Sequence, residues 1–252
     1  MRASRSWPWL SVVIWIGAVA ALLGAASLPL VAPTVAAAAC PGCYGMQLLG
    51  ENLFVNETMP EDARRNLQKM MSDAEMPVVA FFGSVSPRRV ILACADESCE
   101  MRLKSRLEGT ARVRAFAYDA GGYAVVRFSP RGLNRMIITH ELRHVEVHQR
   151  IGFLNHMRGV FPAWFDEGLA VILSDDRRYL KPGKTADERC LPTPDGELPS
   201  TPLAWDEMAG KSEWIYAKAA CRVMRWMESN GGKEGVFAAI LDIGAGKRFV
   251  RN

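Results

Sequence analysis

The segment Thr139–His144 reads T-H-E-L-R-H and contains the pattern H-E-x-x-H. It lies inside a run of residues 133–151 in which apolar side chains recur at helical spacing. The run contains no proline, and it lies between Gly132 and Gly152. These features predict a helix that carries both histidines.

Residues four apart on a helix lie about 40° apart around the axis and about 6 Å apart along it. His140 and His144 can therefore direct two imidazole nitrogens at one zinc ion. Glu141 lies about 100° further round, where its carboxylate can accept a proton from a water at the open position of the metal. The spacing thus predicts two ligands and a general base. The alternative is a solvated helical face with two surface histidines and an ordinary acid between them.

The length and charge of the chain limit its class. Its 252 residues suffice for one domain of about 200 residues preceded by a leader. The formal charge is +4, and without residues 1–39 the chain has 29 basic and 27 acidic residues. The basic residues are scattered rather than clustered, so we expect no nucleic-acid partner.

The N-terminal region has the composition of an export signal. Arg2 and Arg5 precede a run of residues 6–50 without any charge, which includes four alanines at 36–39. A basic head, an apolar stretch and small residues predict a signal peptide over residues 1–39. The two arginines favour a cytoplasmic N-terminus. The body is then exported, to the periplasm or the outer face of the cytoplasmic membrane of a bacterium.

Two alternatives to cleavage of this leader remain open. The apolar stretch 7–31 is long enough to span a bilayer, so it can associate with the membrane as an uncleaved anchor. Cys40, which follows the alanines, resembles the lipid-modified cysteine of a lipoprotein.

Six cysteines in an exported chain suggest disulfides. Their spacing proposes three pairs: Cys40 with Cys43, Cys94 with Cys99, and Cys190 with Cys221. A redox role for the first pair, which forms a C-x-x-C motif, is the alternative. We expect residues 40–59 to be a linker.

Beyond the linker, the pattern predicts an α+β domain over residues 60–252. A small, mostly antiparallel sheet of about four strands precedes a helical block, with the H-E-x-x-H helix at the junction. The predicted strands are 78–82 and 90–94, followed by a hairpin of 111–118 with 123–129. The predicted helices are 60–75, 99–107, 133–151, a helix from Pro162 to Leu173, 213–228 and 235–243. Residues 181–202, rich in proline, are predicted as a long irregular segment.

A catalytic zinc needs a third protein ligand. His148 lies about 12 Å along the helix from His140, too far to share its ion. His156, beyond Gly152, is a reserve candidate. The better candidate is Glu167, in the first turn of the helix after Pro162, where small residues at 168 and 170 allow a close crossing with the first helix.

Two motifs together resemble the gluzincin metallopeptidases. The chain has H-E-x-x-H at 140–144 and W-F-x-E-G-x-A at 164–170, with 22 residues between His144 and Glu167. The resemblance covers mainly residues 125–230, and it implies a zincin-like fold with Glu167 as the third zinc ligand. The chain lacks the G-x-M-x-N signature of the aminopeptidase branch. Val171 stands where the thermolysin branch has an aspartate, so Asp166 and Asp175 are the candidates to orient the histidines.

Further roles follow from this resemblance. It implies Tyr216, in the context Y-x-x-A, as the donor to the oxyanion, the alternative being a core tyrosine. It also implies that the strand 123–129 is an edge that pairs with extended substrate through Val125, Val126 and Arg127.

The predicted function is therefore an exported zinc peptidase acting on peptide or protein substrates. One alternative is a non-catalytic envelope scaffold or binding protein that keeps the zinc. The other is a zinc hydrolase of a non-peptide amide.

Overall fold

A computed structural model describes residues 30–105, 108, 113–120, 122–192 and 196–249, so the first 29 residues of the predicted leader lie outside it. The residues in these ranges form a mixed sheet and a block of helices. The strands are β1 (Met46–Gly50), β2 (Leu53–Asn56), β3 (Arg89–Ala93), β4 (Ala115–Ala120) and β5 (Tyr123–Phe128). The helices are α1 (Pro33–Ala39), α2 (Glu61–Phe82), α3 (Glu97–Leu103), α4 (Arg135–Ile151), α5 (Phe153–Met157), α6 (Ala163–Ser174), α7 (Ala186–Arg189), α8 (Pro202–Lys211), α9 (Trp214–Ser229) and α10 (Gly232–Gly244).

The sheet has the order β1-β2-β3-β5-β4. β1 with β2 and β4 with β5 are antiparallel, whereas β3 is parallel to both its neighbours. The α+β class and the β4–β5 hairpin are confirmed. The sheet has five strands rather than about four, and it is mixed rather than mostly antiparallel.

The prediction that strand 123–129 forms an edge is wrong. β5 pairs with β3 along one side and with β4 along the other. Its backbone hydrogen bonds are therefore used within the sheet, and the side chains of Val125, Val126 and Arg127 are buried. Among the described strands, the edge that follows β5 is β4.

Residues 78–82, predicted as a strand, are the end of the long helix α2, which continues through Pro77. Helix α2 buries Ala74, Val78, Phe81 and Phe82 on one face. A short apolar run is compatible with a strand or with a buried helix, and here packing against α4 and the sheet selects the helix.

Residues 40–59, predicted as a linker, belong to the folded body. A 3₁₀ turn at Pro41–Tyr44 leads into β1 and β2, which complete one side of the sheet. Helix α1, within the predicted leader, also packs on the body, against α3, β3 and β5.

All three predicted disulfides are present: Cys40–Cys43, Cys94–Cys99 and Cys190–Cys221. The third ties the end of helix α7 to helix α9. Three disulfides indicate folding in an oxidising, exported environment. Within the described ranges, no helix combines the length and apolarity needed to cross a bilayer.

Gly168 permits a close packing of helices, but its neighbour is α9 rather than the first helix as predicted. A methyl group at Gly168 would lie 2.6 Å from the carbonyl oxygen of Ala219 and 2.8 Å from the side chain of Val223. The backbones of α6 and α9 approach so closely that a Cβ cannot be accommodated without a shift. This packing fixes α6, and with it the neighbouring Glu167.

We expect Gly168→Ala to destabilise the protein by about 1–3 kcal/mol, because the overpacked helices must separate. Gly210, in α8, is the matched control, since no described residue has an atom within 4 Å of a methyl group there. Gly210→Ala is expected to stabilise by about 0.4–1 kcal/mol through lost chain entropy in the unfolded state. Urea unfolding of both variants measures the difference, and equal effects would show that the crossing is not tight.

Candidate metal centre

Helix α4 carries the H-E-x-x-H motif and is held firmly at its start. The Asn134 side chain accepts a hydrogen bond from the Ile137 amide at 3.0 Å, which caps the helix. One turn later the Thr139 hydroxyl donates to the Ala74 carbonyl at 3.0 Å. The histidines therefore extend from a helix that is anchored to α2 immediately before them.

Three potential ligand atoms converge between α4 and α6. Nε2 of His140 and Nε2 of His144 are 3.1 Å apart. Glu167 Oε2 is 3.3 Å from the His140 nitrogen and 3.7 Å from the His144 nitrogen. Thus the structure brings together the three residues that the sequence predicted as ligands.

These spacings fit a metal ion. A tetrahedral zinc with ligand distances of about 2.0–2.1 Å needs its donor atoms about 3.3–3.4 Å apart, and the three distances lie on either side of that value. Glu167 Oε2 is buried and has no hydrogen-bond partner among the described residues. A buried carboxylate oxygen without a partner is costly, and a cation between the three donors removes that cost.

A second group, His144 with His148 and Asp166, also has its donor atoms close together. Its atoms already pair with one another: Asp166 Oδ2 lies 2.9 Å from His144 Nδ1 and 2.8 Å from His148 Nε2. The Arg143 guanidinium lies 2.8 Å from the same His144 nitrogen, where it would repel a cation. The first group is therefore the better candidate to hold a metal ion, and the second is a hydrogen-bonded support for it.

Asp166 is the centre of this support and is 2% exposed. Its Oδ1 accepts from Nη1 of Arg143 at 2.7 Å, and Arg143 is fully buried. Burial raises the pKa of Asp166, but the positive charges of Arg143 and the histidines outweigh it and hold the pKa well below 3.8. The ionised carboxylate can only accept, so His144 donates from Nδ1 and leaves the Nε2 lone pair for the metal.

The charged groups among the candidate ligands shift one another's pKa values. Burial lowers the pKa of His144, but the Asp166 and Glu167 carboxylates outweigh it and raise that pKa to about 10. Burial raises the pKa of Glu167, but the histidines outweigh it and lower that pKa far below 4.5. Without a metal, a proton on His144 takes the place of the cation.

Tyr216, on α9, lies beside this site. Its ring stacks on Tyr179 with centroids 5.2 Å apart and meets Trp205 edge-on at the same distance. Burial and then the negative charge of Glu167 raise the pKa of Tyr216, so its phenol remains protonated at neutral pH. Asp206, on α8, has a pKa raised by burial and by the same Glu167.

The other residues predicted for the site, His156 and Asp175, neither bind the candidate metal position nor orient its histidines. The ring of His156 lies tilted against that of His148, with centroids 3.8 Å apart, and among the described residues it joins neither group of potential ligands. Asp175 forms ion pairs with Arg177 and Arg189 instead of orienting a histidine. The sequence did not identify Arg143 and Asp206 as neighbours of the site, because a single charged residue in a sequence does not indicate which side chains it will contact in the fold.

This chain matches no protein-family model, no curated protein and no solved structure. The geometry of its side chains is therefore the evidence on its function.

The charges at the ligands predict how stability depends on pH when metal is removed. The pKa of His144 is raised from 6.5 to about 10 on folding. Its charged form therefore contributes stability that is fully present below pH 6.5 and lost as the pH rises towards 10. The lowered pKa of Glu167 adds stability above about pH 4.5 that is lost as the pH falls further.

We expect the melting temperature of the chelator-treated protein to be highest near pH 5–6.5 and to fall by pH 9.5. The zinc-loaded protein is the control, and its advantage over the stripped protein should grow with pH, because the metal displaces a proton from His144. A melting temperature of the stripped protein that rises steadily from pH 6.5 to 9.5 would contradict this account.

Proposed function

We propose that this protein is an exported zinc-dependent peptidase. The observation that supports it most is the convergence of His140, His144 and the buried Glu167 oxygen at spacings that suit a tetrahedral ion. Two histidines with one glutamate are a ligand set of catalytic zinc sites, in which a fourth position stays open. Three disulfides support export.

The chain supplies the groups for amide hydrolysis. A bound zinc ion supplies Lewis acidity, which polarises a carbonyl and acidifies a water. Glu141 accepts the proton of the attacking water and delivers it to the leaving amine. Asp166, itself held by Arg143, keeps the His144 ring in the tautomer and orientation that ligation needs.

An extended substrate fits the edge strand β4 rather than the interior strand β5. β4 is the terminal strand of the described sheet, and it lies against α4. A cavity of about 150 Å³ opens between β4, α4 and α5, lined by Ala117, Val145, Phe153 and Met157 among others. Val145 is one helical turn after Glu141, so a peptide paired with β4 can place an apolar side chain there while its backbone passes the base.

Metal content and cleavage together test the proposal. The purified exported protein should contain about one zinc per chain and cleave members of a mixed peptide library, and a chelator should abolish the cleavage. Zinc without cleavage of peptides or envelope proteins would favour a scaffold. Cleavage restricted to small non-peptide amides would favour the other hydrolase.

Tyr216→Phe tests the proposed oxyanion donor. Loss of one such donor lowers kcat by about 10²-fold or more, with zinc content unchanged. Tyr179→Phe, which alters the stacked partner of Tyr216, is the control and should keep kcat within about threefold. Equal kcat values for the two variants would assign Tyr216 to the core instead.

A further inference from the structure

Helix α1 is part of the hydrophobic core, although it lies within the predicted leader. Ala37 is fully buried and belongs to a cluster that includes Leu92, Leu103 and Val125. Thr34 is also fully buried, and Ala36 is nearly so. The last residue of the helix, Ala39, is exposed. Removal of this helix would therefore expose apolar surface of β3, β5 and α3.

Polar groups of the body also depend on this segment. The Thr34 hydroxyl donates to the Leu103 carbonyl at 2.6 Å and accepts from Nη1 of Arg127 at 3.3 Å. Arg127 is fully buried and forms an ion pair with Glu108 at 2.5 Å. The Ser105 hydroxyl donates to the Val31 carbonyl at 2.6 Å. Loss of the segment would deprive a buried arginine of a partner and admit water to its ion pair.

The disulfide of Cys40 bears on the lipoprotein alternative. In a lipoprotein, the chain is cut before the cysteine and the cysteine sulfur carries the lipid through a thioether. Here Cys40 Sγ is bonded to Cys43 Sγ, and one divalent sulfur cannot hold both bonds. The disulfide is therefore incompatible with a lipid on Cys40, and a cut before Cys40 would remove the packed helix α1 from the body.

We propose that residues 31–39 stay attached in the exported protein as a structural strap, and that any processing of the leader falls at or before residue 30. The A-x-A sequence Ala37–Ala39 is then a packed helix rather than a cleavage site, and Cys40 is not lipidated. The end of the leader, predicted from the sequence at residue 39, then lies at or before residue 30. This inference does not depend on the proposed peptidase activity.

Intact mass of the exported protein is the direct test. The full chain, with a C-terminal tag, is exported in a bacterial host and purified from the envelope. We expect an N-terminus at or before Val31. An N-terminus at any of residues 32–40, or a mass increase corresponding to a lipid on Cys40, would overturn the proposal.

Two matched variants, Ala37→Asp and Ala39→Asp, give a second test. Cleavage after Ala39 requires small residues at both positions, so in that case both variants would block processing alike. If the strap is retained, both leave the cleavage site unchanged and differ in stability. Ala37→Asp buries a charge and should lower the melting temperature by about 10 °C or more, against about 2 °C or less for Ala39→Asp.

Thr34→Val provides a milder variant in case Ala37→Asp does not accumulate. It removes the hydroxyl that bridges Leu103 and Arg127 while keeping the shape of the side chain. We expect a loss of about 3–8 °C in melting temperature. Unchanged processing together with an unchanged melting temperature for Thr34→Val would show that the strap does not stabilise the fold.

Discussion

Replacing Glu141 with glutamine is expected to lower kcat by about 10²–10⁴-fold, the usual contribution of a general base. The amide keeps the size of the side chain but cannot accept the proton of the attacking water. None of the three proposed ligands is altered, so we expect zinc content and melting temperature to stay at wild-type values. Single-turnover hydrolysis of a peptide identified from the library measures the effect.

Glu207→Gln is the matched control for this prediction. Glu207 lies on α8, is exposed and pairs with Lys211. The same chemical change there should leave kcat within about twofold. Wild-type turnover by Glu141→Gln, with zinc still bound, would remove Glu141 from the role of base and leave the ligand assignment intact.

Replacing Asp166 with asparagine is expected to have the largest effect on stability. Arg143 is fully buried, and Asp166 Oδ1 is its partner at 2.7 Å. Loss of one partner of a buried ion pair leaves an uncompensated charge and costs about 3–5 kcal/mol. The amide keeps only one accepting oxygen in place of the two that contact Arg143 and His144, so His144 is oriented less well and zinc affinity should fall by about 10–100-fold. Urea unfolding and competition with a zinc chelator measure the two effects.

Asp175→Asn tests whether Asp175, the other candidate from the sequence, orients His144 in place of Asp166. Asp175 is half-exposed and pairs with Arg177 and Arg189. An ion pair with that exposure contributes about 0–1 kcal/mol, and we expect zinc affinity to be unchanged. Should Asp175→Asn weaken zinc binding while Asp166→Asn does not, the orientation of His144 by Asp166 would be refuted.

A double variant tests whether the cost arises from the buried charge. Arg143→Met removes the guanidinium, and its combination with Asp166→Asn should recover part of the lost stability, because neither charge is then buried alone. Zinc affinity should remain reduced in the double variant, since the acceptor for His144 is still altered. Additive losses of stability would mean that the two residues are not coupled.

The secondary structure was predictable where the pattern of apolar residues is compatible with only one type of element. Helices α4, α6, α9 and α10 were located within a few residues, because their apolar spacing is long and their ends carry proline or glycine. The short helices α5 and α7 and the longer α8 were not predicted. The run 78–82 was misread because its short apolar pattern does not distinguish a strand from a buried helix. β1 and β2 were missed because their residues were read as a linker, and no periodic pattern marks them.

The sequence alone determined the local part of the site, and its cysteine spacing proposed the disulfide pairs that the structure contains. A spacing of four residues on one helix brings His140 and His144 to the same side whatever the rest of the chain does. Only the tertiary structure decided how α6 crosses α4, which brings Glu167 to the same point and sets Asp166 between Arg143 and His144. It also decided that β4 is an edge and that the alanine-rich helix belongs to the core. Such contacts join residues far apart in the chain, and they depend on packing that local periodicity does not encode.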